Sequence, residues 1–82
     1  MINSKTIQYP FAANDMMCLI EYSSGNPVYI GRAAPGTLTS AAAWQIQKLT
    51  YDVNDNVTAI QFAGGTNDYN QIWTSRAALV YS

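Results

Sequence analysis

The chain has 82 residues, and only 11% of them are charged, whereas an ordinary soluble domain contains about 25%. Its four basic residues are scattered and outnumbered by five acids. No basic stripe can therefore neutralise a phosphate backbone, and nucleic-acid binding is not expected. The apolar runs are far shorter than the roughly 20 residues of a membrane span, and the N-terminus lacks the apolar region of a signal peptide. We expect no membrane association and no export signal.

The reactive side chains argue against catalysis. The chain contains one cysteine, Cys18, and no histidine, which excludes an internal disulfide and a Cys/His zinc site. A serine or cysteine nucleophile would lack the histidine base that it usually needs, and most of the acids lie in turn sequences. We predict that the protein is not an enzyme and binds no cofactor or metal.

Hydrophobic residues make up 49% of the chain, which is enough for the core of one small domain. The surface must then owe its polarity mainly to Asn, Gln, Ser and Thr. Such neutral groups suit permanent contact with other proteins, because they cost less to bury than ions. A secreted β domain has the same composition and is the alternative interpretation.

Residues 1–17 contain Pro10 and no sustained periodicity, which predicts an extended N-terminal arm. The arm has too many apolar side chains for a solvated tail, so we expect it to lie on its own core or on a neighbouring chain, with the neighbour favoured. The predicted interface consists of the apolar arm residues and one tyrosine near the other end of the chain: Ile2, Ile7, Tyr9, Phe11, Met16, Met17 and Tyr81.

Residues 18–82 are predicted to form one small β domain. The short apolar run 18–22, the turn-rich residues 23–27 and the run 28–32 predict a hairpin. A loop follows over 33–40, where Pro35 fixes φ and Gly36 can take a left-handed conformation.

The segment 44–51 is predicted to be a strand. Its apolar residues alternate at Trp44 and Ile46 and then change phase, which suggests a β-bulge near Gln47 and Lys48. A helix over 40–49, capped by Ser40 and containing three alanines, is the alternative for the first half of this segment.

Strands 57–62, 69–73 and 77–81 complete the prediction, the last two separated by a kink at 74–76. Five or six short strands at this spacing predict a mostly β fold, a small antiparallel β-sandwich or barrel that carries the extended N-terminal arm. The predicted core consists of Trp44, Ile46, Ile60, Phe62 and Trp73.

Three segments contain residue types that could carry chemistry. Asp52, Asn54 and Asn56 match the start of a calcium-binding loop, but Val57 and Ala63 replace the required glycine and glutamate, so the segment is predicted to be a turn. The Gly64–Gly65 pair lacks the lysine and helix of a phosphate-binding loop. Aromatic side chains could stack on sugars, although their alternation with polar neighbours favours a core role.

Residues 29–37, with the sequence YIGRAAPGT, resemble a motif in short structural-type proteins of tailed bacteriophages. The resemblance covers roughly residues 28–82. It continues through Trp44-Gln45-Ile46, the strand 49–51, the segment 60–65 and Trp73-Thr74-Ser75-Arg76 with its tail 77–81. In similar sequences acidic residues often fill the two positions before the arginine, where this chain has Thr74 and Ser75.

The resemblance implies a virion component without enzymatic activity, made in the host bacterial cytoplasm and assembled in many symmetric copies with other virion proteins. The leading hypothesis is a capsid decoration or minor head protein. An adaptor in the neck, tail or fibre apparatus is the second hypothesis. A sugar-binding module that uses exposed Trp73 or tyrosine side chains is the third.

Overall fold

A computed structural model describes residues 15–82 of the chain. Four strands form an antiparallel meander in sequence order: β1 (Met17–Ser23), β2 (Asn26–Ala33), β3 (Ala42–Tyr51) and β4 (Val57–Phe62). A short strand β5 (Gln71–Ile72) pairs with the beginning of β3, and the 3₁₀ helix Trp73–Ala78 follows. The predicted mostly β class with antiparallel pairing is confirmed. The five strands belong to one sheet, and the layer packed on it is the 3₁₀ helix and the C-terminal segment rather than further long strands.

The predicted first hairpin is confirmed, with a two-residue loop. Ser24 and Gly25 have φ values of 54° and 85°, and the flanking residues Ser23 and Asn26 pair across the sheet. Positive φ at both loop residues gives the backbone twist that matches the twist of paired strands. Of the predicted arm, residues 1–14 lie outside the described residues.

Strand β3 begins at Ala42, so the helical alternative for residues 40–49 is wrong. Its register shifts lie at Ala42/Trp44 and at Thr50/Tyr51, and the predicted bulge near Gln47 and Lys48 is absent from this strand. The apolar pattern changes phase because β3 carries apolar residues on both faces: Ile46 lies on one face and Leu49 on the other.

The core lies on one face of the sheet, beneath the 3₁₀ helix. Trp44 and Ile46 of β3 are 0% and 1% exposed, and Trp73 of the helix is 7% exposed. The two indole rings are 5.9 Å apart at a 37° angle, and the Trp44 Nε1–H donates to the Leu38 carbonyl at 3.0 Å. These three residues were predicted to lie in the core, and they do so together with two buried alanines, Ala33 and Ala63.

Gly31 makes this packing possible. It lies in β2 opposite Ile46, and a Cβ atom at this position would be 2.5 Å from Cε3 of Trp73. Because real Cβ contacts are longer than this, only glycine lets the indole lie against the sheet backbone.

The predicted core positions Ile60 and Phe62 need correction. Ile60 is 54% exposed and Phe62 is only partly buried. Their partners on β3 are Leu49 and Gln47, which point away from Trp44 and Ile46. The alternation in β4 placed Ile60 and Phe62 on a common face, but alternation does not indicate which face is covered.

The C-terminal part departs most from the prediction. Instead of two strands separated by a kink, it contains the two-residue β5, the 3₁₀ helix and a single bridge between Ala63 and Tyr81. Ser82 exchanges two backbone hydrogen bonds with Phe62, at 3.0 and 3.1 Å. Arg76 folds back on the helix, and its Nη1 donates to the Trp73 carbonyl at 3.1 Å.

Two residues predicted to contact a neighbouring chain contact this chain's own core. Met17 pairs with Ala33 at the start of β1, and Tyr81 is held by the C-terminal bridge; both are partly buried against the core cluster. Met16 is partly buried just before β1. The other predicted interface residues lie outside the described residues: Ile2, Ile7, Tyr9 and Phe11.

Candidate protein-binding surfaces

The sheet face opposite the core carries a second set of apolar side chains. Cross-strand pairing joins Ile20 to Ile30, Ile30 to Gln47, and Gln47 to Phe62, so four side chains form one row across the four strands. Residues paired in an antiparallel sheet project from the same face. We name this surface the open face, and its apolar members are Cys18, Ile20, Ile30, Leu49, Ile60 and Phe62.

Residues 15–82 leave the open face largely uncovered. Ile20 and Ile60 are 44% and 54% exposed, and Cys18 is exposed. The 3₁₀ helix and Tyr81 pack on the opposite face, against the core. One charged side chain, Arg32, projects from the open face in the row of Cys18 and Gln45, and it donates a hydrogen bond to Gln47 Oε1. The open face is therefore apolar and almost uncharged. The sequence does not predict it, because the alternation assigns the apolar residues of the two faces to a single core.

The outer edge of β1 is a second candidate surface. β1 pairs with β2 alone among the described strands, so its other edge is free within residues 15–82. Natural edge strands are usually blunted by lysine, proline or a bulge. β1 contains neither lysine nor proline, and its bulge lies at its end, between Glu21 and Tyr22. The first four residues of this strand offer a regular template for strand addition.

On the core side, Arg76 forms an ion pair that joins the 3₁₀ helix to β1. Its Nε lies 2.7 Å from Glu21 Oε1, and its guanidinium lies 4.5 Å from the centre of the Trp73 ring. The two residues before Arg76, Thr74 and Ser75, are neutral. The carboxylate that pairs with Arg76 belongs to Glu21, 55 positions upstream. Nothing in the sequence indicates this pairing, because it depends on the helix crossing over the sheet.

Replacing Glu21 with glutamine should lower the free energy of unfolding by about 0.5–1 kcal/mol, since both side chains of the pair are partly exposed. The difference should shrink in about 1 M salt, where the Debye length is only about 3 Å. Urea unfolding at low and high salt measures it. Asp68→Asn, which removes an exposed acid, is the control, and an equal effect of both substitutions would contradict the role of the pair.

Tyr81 connects the C-terminal segment to the core. Its hydroxyl donates to the Arg76 carbonyl at 2.7 Å, and its ring lies 5.7 Å from that of Tyr29. Burial, reinforced by Tyr29 and opposed by Arg76, raises the pKa of Tyr81 from 10.0 to about 12.

The raised pKa predicts a pH effect on stability. Between pH 10 and 12 the unfolded chain loses this proton while the folded chain retains it, so stability falls as the pH rises through this window. In an absorbance titration of the six tyrosines, the last to ionise should disappear in Tyr81→Phe. It should persist in the control Tyr22→Phe, which leaves Tyr81 unchanged.

Asp52 and Trp73, which lie in segments that could carry chemistry, have structural roles. Asp52 Oδ1 accepts hydrogen bonds from the backbone N–H groups of Asn54 and Asn56 at 2.9 and 3.0 Å. These bonds hold the pKa of Asp52 below its usual value and close the β3–β4 turn. Trp73 is buried beneath Arg76, so the predicted exposed Trp73 platform for sugars is corrected.

Over residues 15–82 we find no pocket and no cluster of three metal-ligating side chains. That part of the chain also has no helix of the length and apolarity that a membrane crossing requires. The chain matches no protein-family model, no curated protein and no solved structure.

Proposed function

We propose that this chain is a non-enzymatic structural protein of a tailed-bacteriophage virion, a capsid decoration or minor head protein that acts through contacts with other virion proteins. The observation that carries the proposal is the edge of β1, a regular strand edge without lysine or proline on a domain of low charge. A partner strand can add to such an edge through main-chain hydrogen bonds. The likeness of residues 29–37 to phage structural proteins supports a virion as the assembly in which the chain acts.

The charges of the described residues support a protein partner rather than a nucleic acid. Arg76 is paired with Glu21, and Arg32 donates to Gln47. Lys48 Nζ lies 5.8 Å from the centre of the Tyr81 ring. Each basic side chain within residues 15–82 thus has a partner in the chain, whereas phosphate binding needs several free cations together.

The edge of β1 can be tested without disturbing the core. Tyr22→Lys places a positive charge just beyond the regular part of this edge, on a residue that is 61% exposed in the same strand, and charge on an edge discourages strand addition. We expect the variant to fold normally, by circular dichroism, and its amount in purified particles to fall by about tenfold or more. Val53→Lys, at a 97% exposed position in the β3–β4 turn, is the matched control and should be incorporated normally.

The number of copies per particle distinguishes a location in the capsid from one in the neck, tail or fibre apparatus. On the order of hundreds of copies per particle would support a capsid protein, whereas about six to a few dozen would support a neck, tail or fibre adaptor. Quantitative mass spectrometry of purified virions measures this number. Absence of the chain from the particles would overturn both.

A further inference from the structure

We propose that the open face is the docking site of the chain's own N-terminal segment, residues 1–14, in the free protein. This inference concerns the isolated chain and does not depend on the proposed virion role. It leaves the edge of β1 to the partner.

The size of the open face favours a segment over a whole domain. Four strands at about 4.8 Å spacing place the outer strands about 14 Å apart, and the apolar rows extend over a similar length, which gives a footprint on the order of 200–300 Å². A stable interface between proteins buries about 800 Å² on each partner. The apolar rows alone supply only part of such an area, so a second copy would also have to bury the polar surface around them.

The segment has side chains that match the face. The arm has no sustained periodicity, but in its short stretch 7–11 the residues Ile7, Tyr9 and Phe11 alternate with Gln8 and Pro10. In an extended backbone these three side chains would project to one side. From Ile7 to Phe11 such a backbone spans about 13 Å. This length matches the row that runs from Ile20 through Ile30 and Gln47 to Phe62.

Proline and charge favour the face over the edge of β1. Pro10 has no N–H group, so a ladder along a strand edge would lose a hydrogen bond there, whereas packing on the face requires no ladder. Residues 1–14 contain one charged side chain, Lys5, which lies outside the apolar stretch. The stretch therefore adds no ion of its own to the buried surface. The one charged side chain of the face, Arg32, lies in the neighbouring row with Cys18 and Gln45.

The position where the segment joins the domain favours its own face over that of a neighbour. The chain enters β1 at Met17, next to Cys18 at one border of the open face. The four residue steps from Phe11 to Asp15, where the described chain begins, can span up to about 14 Å, more than the roughly 10 Å that separates packed β layers. A tether this short gives an effective concentration in the millimolar range, so the segment's own face fills first in dilute protein.

The experiment uses Cys18, the single cysteine of the chain, as a reporter on the open face. Ile7→Cys, Tyr9→Cys and Phe11→Cys are made one at a time in the full chain and oxidised mildly at low micromolar concentration. We expect an intramolecular disulfide in at least one variant, seen as a monomer that has lost both thiols by intact mass. In the unmodified sequence, Cys18 should be alkylated about tenfold more slowly than in a variant that lacks residues 1–14.

A matched control moves the second thiol to the other side of the sheet. Tyr9→Cys combined with Cys18→Ser and Thr74→Cys places that thiol on the 3₁₀ helix, and this variant should remain unbridged. Protection of Cys18 that depends on residues 1–14, without a covalent dimer, supports the proposal even if none of the three positions is in register to bridge. A disulfide that appears only in dimers would assign the face to a second copy. If residues 1–14 do not slow the alkylation of Cys18 and no disulfide forms, the open face would be free for a foreign partner. Either this result or a disulfide found only in dimers would overturn the proposal.

Discussion

Gly31→Ala should destabilise the domain by about 3 kcal/mol and lower the melting temperature by more than about 10 °C. The added Cβ would lie 2.5 and 2.7 Å from two carbons of the Trp73 ring and 3.1 Å from Trp44. The ring has little room to move away, because the Arg76 guanidinium lies 4.5 Å from its centre on a helix joined to β1 by the ion pair. Thermal unfolding followed by circular dichroism measures the loss.

Two further variants separate the steric effect from general glycine effects. Gly36 has a φ of 85° and nothing within 4 Å of its Cβ position, so Gly36→Ala should cost only the backbone strain, about 1 kcal/mol. Trp73→Leu removes the ring that Gly31→Ala would strike, so in the double variant, where only the 3.1 Å contact with Trp44 remains, Gly31→Ala should cost much less than in the wild type. If Gly31→Ala cost no more than Gly36→Ala, the close packing of Trp73 on β2 would be wrong.

Trp44→Ala should cost about 3–5 kcal/mol, because it empties the largest fully buried site in the described residues. A domain of this size is stable by only about 4–12 kcal/mol in total, so the variant should lose a large fraction of its stability and unfold at a much lower urea concentration. Trp73 would also lose its aromatic neighbour at 5.9 Å. Urea unfolding monitored by circular dichroism tests this expectation.

Trp44→Phe provides the graded comparison. It keeps an aromatic ring in the core and removes the Nε1–H bond to the Leu38 carbonyl, which should cost about 1–2 kcal/mol. Val53→Ala, at a position that is 97% exposed, should change stability by less than about 0.5 kcal/mol. A loss below about 1 kcal/mol for Trp44→Ala would contradict the central position of this side chain.

The local elements could be predicted because they depend on neighbouring residues. Gly25 supplies positive φ between two apolar runs, and Asp52 binds the backbone of its own turn, so both hairpins follow from short-range chemistry. The alternation at Trp44 and Ile46 placed both on one face for the same reason. The structure of the second half of the chain was harder to predict. Trp73 and Tyr81 are residue types that favour strands, but contacts with the sheet hold them in a 3₁₀ helix and in a single bridge.

The sequence by itself determined the β class, the two hairpins and the tryptophan side of the core, since the period of two and the turn residues act over a few positions. Only the tertiary structure decided that the 3₁₀ helix covers the Trp44 face and leaves Ile20, Ile60 and Phe62 on the other. It also decided that Arg76 pairs with Glu21. The physical reason is that alternation divides side chains between two faces without distinguishing them. The face that becomes the interior depends on a helix that begins 50 residues after the end of β1 and lies close to it only in space.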